Sequence, residues 1–386
     1  MKKKFALEDL APGDSFSKDA FVDGQNIFVP AGVAVRMRDI EGLRQWDVHH
    51  VFSEGELHRK VDAPAAAEGK KKNTLADGSQ ISGGGFVDDK MFSDYAGILA
   101  AAKTCLEGFR SGSLPEQAAI EKVVKDIVQL EQTHGSLIVS AIIGSDVAGY
   151  QDAKTAVNCA LLSLVVGKTL KLPAYRLHHL VLGAFLHDIG MLRMPPEIVH
   201  KKDTLTVEEA QKLKAHPLYA FRTIVRDMHY PEDIGLIALQ HHERWDGDGY
   251  PRKTAGQEID LLARIVSVTD AFEAMISQKP YRNSMIGYAA MKSLLSDNGR
   301  RFDPDVLKAF LRSMGIYPIG SIVVLNNAAI AKVMETHADA PLRPKLRILV
   351  DEFGNHYREP EGDMLDLLTE KTLFIARAID PRELAS

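Results

Sequence analysis

The stretch His241-His242-Glu243-Arg244-Trp245-Asp246-Gly247-Asp248-Gly249-Tyr250-Pro251 puts two imidazoles, three carboxylates and a Gly-Tyr-Pro turn into eleven residues. Two adjacent histidines before an acidic, glycine-punctuated loop point to a metal, because divalent ions that perform phosphoester chemistry favour imidazole and carboxylate ligands. Gly249 permits unusual dihedrals and Pro251 fixes the exit of the turn, so Tyr250 is presented at the mouth of a pocket or packed under the loop. Outward from this stretch lie Leu186-His187-Asp188-Ile189-Gly190, His216-Pro217 and Thr269-Asp270. A lone histidine such as His216 is more often a satisfied core residue than a ligand, and the weight comes from the set.

Leu177, Leu180, Val181 and Ala184 recur at helical spacing and run directly into His187-Asp188, which places that pair at the C-terminal end of a buried helix. Further upstream, Ile120, Val123, Val124, Ile127, Val128 and Leu130 form one apolar stripe opposite Glu121, Lys122, Lys125 and Asp126. The expected fold class is therefore mainly α. Residues 1–57 alternate short apolar runs with turn signals and read as a β-rich N-terminal domain with one helix near Arg38 to Gln45. Residues 58–85, rich in Ala, Lys, Gly and Ser, read as a flexible linker whose Lys70-Lys71-Lys72 is solvated charge. A helical connector is expected over 86–148 and the main helical domain over 149–316. From 317 to 386 strand patterns return, among them Ser321-Ile322-Val323-Val324-Leu325 and Leu346-Arg347-Ile348-Leu349-Val350, and read as a small C-terminal β-subdomain.

A net charge of -5 over 386 residues argues against a general polyanion binder, so no DNA or RNA partner is expected. Cys105 and Cys159 both fall in apolar runs and read as reduced core thiols, which fits a cytoplasmic setting. No segment approaches the roughly 18 apolar residues of a membrane helix.

Over Gly149 to Ile316 these motifs resemble the HD-GYP family. The resemblance implies a helical bundle and a bacterial, metal-dependent phosphodiesterase that opens cyclic di-GMP or a related cyclic dinucleotide. By matching motifs, His187 and Asp270 would bind a first metal, Asp188 would bridge, and His216, His241 and His242 would complete a second, with His187 and Asp188 the catalytic pair. The cofactors implied are divalent ions, Fe, Mn or Zn, at most two. Lys279-Pro280-Tyr281-Arg282 is similar to the family's Arg-Pro-Tyr-Arg, so Lys279 and Arg282, together with Tyr250, are candidate substrate-binding residues. His49-His50, His178-His179, His200 and His229 lack such a context and read as surface or structural.

Three departures stand against the matches. Gln151 stands where the family has Glu, Thr155 where it has the first histidine ligand, and Met191 where it has a lysine that contacts phosphate. A hydroxyl is a poor ligand beside imidazole, and a thioether cannot donate to an oxyanion. Arg193, two residues on from Met191, is the candidate substitute. Two readings stay open at this level: a phosphodiesterase with a reduced centre, or a receptor that senses cyclic di-GMP and signals to a protein partner through the N-terminal domain. Hydrolysis of another nucleotide phosphoester is a weaker third, and the resemblance also leaves a homodimer open.

Overall fold

The computed structural model describes the chain apart from residues 1–2, 12–13, 19, 22–26, 30–34, 36–39, 41–49, 60–72, 75–79, 84–88, 136–141, 143–144, 148–149, 200, 202, 278–286, 358–360 and 380–386. It divides into two compact units, Met1–Lys71 and Lys72–Ser386.

The first unit is β-rich. Strands β1 (Lys3–Ala6), β2 (Ser15–Phe16), β3 (Ala20–Phe21), β4 (Ile27–Val29), β5 (His50–Ser53) and β6 (Leu57–His58) form a four-stranded sheet in the order β1-β5-β3-β4 and a β2-β6 pair. Alternation of buried and partly exposed residues along β5 turns Val51 and Ser53 inward, and Val51 packs with Leu7, Leu10, Phe16 and Ala20. The helix expected near Arg38 to Gln45 lies outside the described residues, Ile40 apart.

In the second unit, two short strands stand inside the stretch expected as linker: β7 (Asn73–Thr74) pairs with β8 (Gln80–Gly83), and β8 pairs with β9 (Ser145–Val147), in an antiparallel sheet. Backbone pairing from Ile81 to Val147 and from Gly83 to Ser145 gives these residues a partner that a linker reading of their composition does not anticipate. Lys70, Lys71 and Lys72 lie outside the described residues.

The bulk of this unit is helical: α1 (Asp89–Ser111), α2 (Gln117–His134), α3 (Gln151–Thr169), α4 (Ala174–Leu186), α5 (Val207–Leu213), α6 (His216–Arg222), α7 (Glu232–Gln240), α8 (Leu261–Ile276), α9 (Gly287–Ser296) and α10 (Pro304–Met314). On α2 the stripe read from the sequence is the buried one, with Ile120, Val123, Val124, Ile127 and Leu130 in the core. Helix α3 is buried on most of its circumference, and the last turns of α4, from Leu180 to Leu186, are buried throughout. Close approach is built into the sequence: a Cβ on Gly183 would lie 2.2 Å from Ile237 Cδ1, so glycine lets α4 lie tight against α7.

Polar groups also tie the helices together. Tyr95 Oη on α1 donates to Asn158 Oδ1 on α3 at 2.6 Å, and Asn158 Nδ2 donates to Glu273 Oε1 on α8 at 3.3 Å. One turn on, Ser163 and Thr269 hydroxyls meet at 2.8 Å, with the Cys159 thiol 3.5 Å from Thr269. Both cysteines are free and buried.

Strands β10 (Ile322–Leu325), β11 (Ile330–Glu335), β12 (Lys345–Val350), β13 (Met364–Asp366) and β14 (Ile375–Ile379) make an antiparallel sheet in the order β13-β12-β11-β10-β14. It has its own core of Val323, Leu325, Ala331, Val333, Leu346 and Leu367. The architecture is thus mainly α, with a β-rich N-terminal unit and a small C-terminal sheet.

Candidate metal centre

Four separate chain segments meet at one point of the helical bundle. His187 follows the last residue of α4, and Asp188 precedes a 3-10 turn, Ile189–Arg193. His216 is the first residue of α6, whose start is set by Pro217. His241 and His242 follow the end of α7, and Asp270 lies within α8. Helix ends and the buried face of α8 therefore carry all six candidate ligands.

The imidazoles are oriented by their own backbone. His187 Nδ1 donates to Ala184 O at 2.7 Å, His216 Nδ1 to Leu213 O at 2.7 Å, and His241 Nδ1 to Ala238 O at 2.8 Å. A carbonyl only accepts, so each Nδ1 carries the hydrogen, and each Nε2 presents a lone pair once its ring is neutral. These Nε2 atoms converge on Asp188. His216 Nε2 lies 3.1 Å and His241 Nε2 3.7 Å from Asp188 Oδ1, while His187 Nε2 lies 3.9 Å from Asp188 Oδ2 and 3.5 Å from Asp270 Oδ1. One ligand atom each from Asp188, His216, His241 and His242 fall within 4.8 Å of one another.

With all the rings neutral, lone pair thus faces lone pair. His187 Nε2, His216 Nε2, His241 Nε2 and Asp188 Oδ1 are all buried without a hydrogen-bond partner, although the other oxygen leaves Asp188 partly open. Each unsatisfied buried group costs about 1–3 kcal/mol, and burial of side chains such as Leu180, Val181 and Leu186 in the preceding helix offsets this at about 1.5–3 kcal/mol apiece. Packing holds the acceptors together against their repulsion, and a cation between them removes it.

The titration behaviour follows from the same geometry. Burial disfavours the charged form of His187, but Asp188 and Asp270 outweigh it and lift this imidazole to about 9. Burial likewise opposes charge on Asp270, yet the neighbouring His187 pulls it down to about 2. Asp188 is held well below the carboxylate range against burial by His187, His216 and His241. His241 is lowered, and His242 well lowered, by burial first and by neighbouring imidazoles. One proton therefore sits on the His187 side, while His241 and His242 are neutral.

Tyr250 stacks on His242 with ring centroids 4.8 Å apart, and Lys214 Nζ stands 5.5 Å from the Tyr250 ring centroid. Burial pushes the Tyr250 phenol up. The loop carrying it is clamped by Glu243, whose carboxylate accepts from Arg252 N at 2.7 Å and Thr254 N at 3.1 Å. Trp245 N and Asp246 N also donate to Arg301 O and Arg300 O. Glu243 was legible only as one of three acids in the motif, because its backbone partners lie nine and eleven residues later.

Of the other sequence expectations, Arg193 is exposed and makes no ion pair among the described residues. Lys279 and Arg282 lie outside the described residues, as do His49 and His200. His178 and His179 pair with Glu121 and Asp233, away from the cluster. Thr155 is on α3 one turn before Cys159, the residue that meets Thr269 beside Asp270, and its hydroxyl is buried with no partner.

Residues 122–306 match the family model described as an HD domain, and residues 322–386 match the one described as a KOW domain associated with HD domain. A cyclic di-GMP phosphodiesterase of Pseudomonas aeruginosa is 30% identical over 249 residues, which cover 64% of this chain and 60% of the relative. A cyclic di-GMP phosphodiesterase response regulator of Xanthomonas campestris is 36% identical over 167 residues, covering 42% and 44%. The chain thus spans less than two thirds of the length of these relatives. A solved HDG"Y"P protein from Bdellovibrio bacteriovorus aligns at 14% identity with a TM-score of 0.46, covering 80% of this chain and 98% of that one.

Proposed function

We propose that this chain, whose residues 122–306 match an HD domain, is a protein of the HD-GYP family that binds cyclic di-GMP at a metal centre of at most two ions and hydrolyses it slowly. The observation that carries this reading is the gathering of buried, partnerless Nε2 atoms of His187, His216 and His241 around the partnerless Oδ1 and the second oxygen of Asp188. The donor set is imidazole and carboxylate, which suits iron, manganese or zinc. Asp188 Oδ1 faces His216 and His241 while its Oδ2 faces His187, so the two carboxylate oxygens address two groups of ligands, as a bridging carboxylate does. His187, Asp188 and Asp270 would hold one ion, and Asp188, His216, His241 and His242 the other.

Bound ions would activate a water and neutralise charge on the phosphodiester oxygens. The chain's own part is positional. The carbonyls of Ala184, Leu213 and Ala238 fix the imidazole rings, and the Glu243 clamp holds the His242–Tyr250 stack at the site. Asp188 and Asp270 store a proton on His187.

A specific pair of residues supports the second reading, a receptor. Thr155 gives the first site a hydroxyl in place of an imidazole, and Met191 gives the phosphate no donor. Incubation of the manganese- or iron-loaded protein with cyclic di-GMP, with binding followed by calorimetry and product by chromatography, separates the readings. Linear dinucleotide or GMP at repeated turnover is the expected result; binding without product makes the protein a receptor. Replacing His241 and His242 together by Ala is expected to strip the metal from the purified protein, and unchanged metal content refutes the centre.

A further inference from the structure

We propose that Lys214 holds a phosphate of the cyclic dinucleotide, supplying from a different segment the cation that position 191 lacks. The inference deepens the functional reading above and rests on it. Lys214 caps the C-terminus of α5, two residues before His216, and its side chain is exposed. Its ammonium stands over the Tyr250 ring at 5.5 Å, and that ring stacks on His242. The charge is therefore fixed one ring away from a metal-ligand candidate, because the face of an aromatic ring attracts a cation and restrains its long, flexible stem.

Nothing nearby consumes that charge. No carboxylate pairs with Lys214 among the described residues, and Glu209 of the same helix is bound to Lys201 and to the amide of Thr206. The turn that carries Lys214 also borders position 191. A Cβ on Gly190 would lie 2.1 Å from His216 O and 3.0 Å from Ala220 N, so the backbone at 190 rests directly on the first turn of α6, which begins two residues after Lys214. Lys214 and Met191 thus lie within two residues in sequence of one backbone contact, Gly190 against His216. An ammonium is a compact charge with three donors, suited to a phosphate oxygen whose orientation is set elsewhere.

The test compares the manganese-loaded full chain with its Lys214→Gln and Lys214→Arg variants, reading cyclic di-GMP affinity by calorimetry at low and high salt and metal content in the same samples. Loss of a charge-assisted phosphate contact is expected to weaken Lys214→Gln by about tenfold or more and to flatten its salt dependence. Lys214→Arg is expected to stay within about threefold of the parent, and both variants to keep their metal. A Lys214→Gln protein that binds as tightly as the parent overturns the inference, as does one that loses metal; both outcomes leave the functional reading standing. A parent protein that holds manganese yet does not bind cyclic di-GMP overturns that reading, and the inference falls with it.

Discussion

Single residues decide what the cluster can hold. Three imidazoles give their Nδ1 hydrogen to the carbonyl three residues earlier, so the free lone pairs are committed to the space around Asp188 before any ligand arrives. The one proton stored there sits on His187, lifted from 6.5 to about 9. Its sign is definite. In the metal-free protein this raised value contributes stability that is complete below about 6.5 and is lost as pH rises to about 9. A cation needs the deprotonated ring, so metal affinity moves the opposite way, rising with pH until about 9, and uptake at neutral pH releases a proton. Titrating manganese in two buffers of different ionisation enthalpy measures that release; an identical heat in both refutes it. The candidate ligand positions stand out in the sequence because each sits in a short motif with fixed spacing. The carbonyl partners do not, since they depend on how each helix ends. Thr155 was legible as a departure, and the structure adds that its hydroxyl is buried without a partner. The change Thr155→His with Met191→Lys is expected to raise both metal stoichiometry and turnover on cyclic di-GMP, checked by metal analysis and product chromatography; unaltered turnover places the limit elsewhere in the chain.

Elements explain why the ligands stay in register. The 3-10 turn after Asp188 and the first turn of α6 touch through backbone alone at Gly190, with no room for a side chain. Gly249 plays the same part in the loop after His242, where a Cβ would lie 2.4 Å from Arg244 N and 2.5 Å from Glu243 Cα. Gly190→Ala must push His216 and Asp188 apart. Overpacking of this kind costs about 1–3 kcal/mol, and here it acts directly on two ligand segments, so metal content is expected to fall along with the denaturant midpoint. Normal metal content in a folded Gly190→Ala protein contradicts the packing account. The helices that carry these turns were readable from periodicity, as on α2 and α4, because one apolar face meets one core. Strands β7 and β8 were not, because they leave no alternation in four residues or fewer and the pairing of β8 with β9 is set by backbone some sixty residues away.

At the scale of the whole molecule, every described candidate ligand, the clamp at Glu243 and the Tyr95–Asn158–Glu273 network belong to the unit Lys72–Ser386. A continuous apolar core runs through its helices from Met91 to Met314, whereas Met1–Lys71 has a separate core of its own. Packing that holds acceptor atoms in place needs only neighbours in the same core. The fragment 72–386 is therefore expected to fold and to bind the same number of metal ions per chain as the intact protein, measured by metal analysis and far-ultraviolet circular dichroism. If it does, the N-terminal unit is free to carry a signal without being needed to build the centre, as the receptor reading requires. A fragment that folds but loses its metal shows instead that residues 1–71 complete the centre, and then the four converging acceptors of the helical unit are not sufficient to hold an ion.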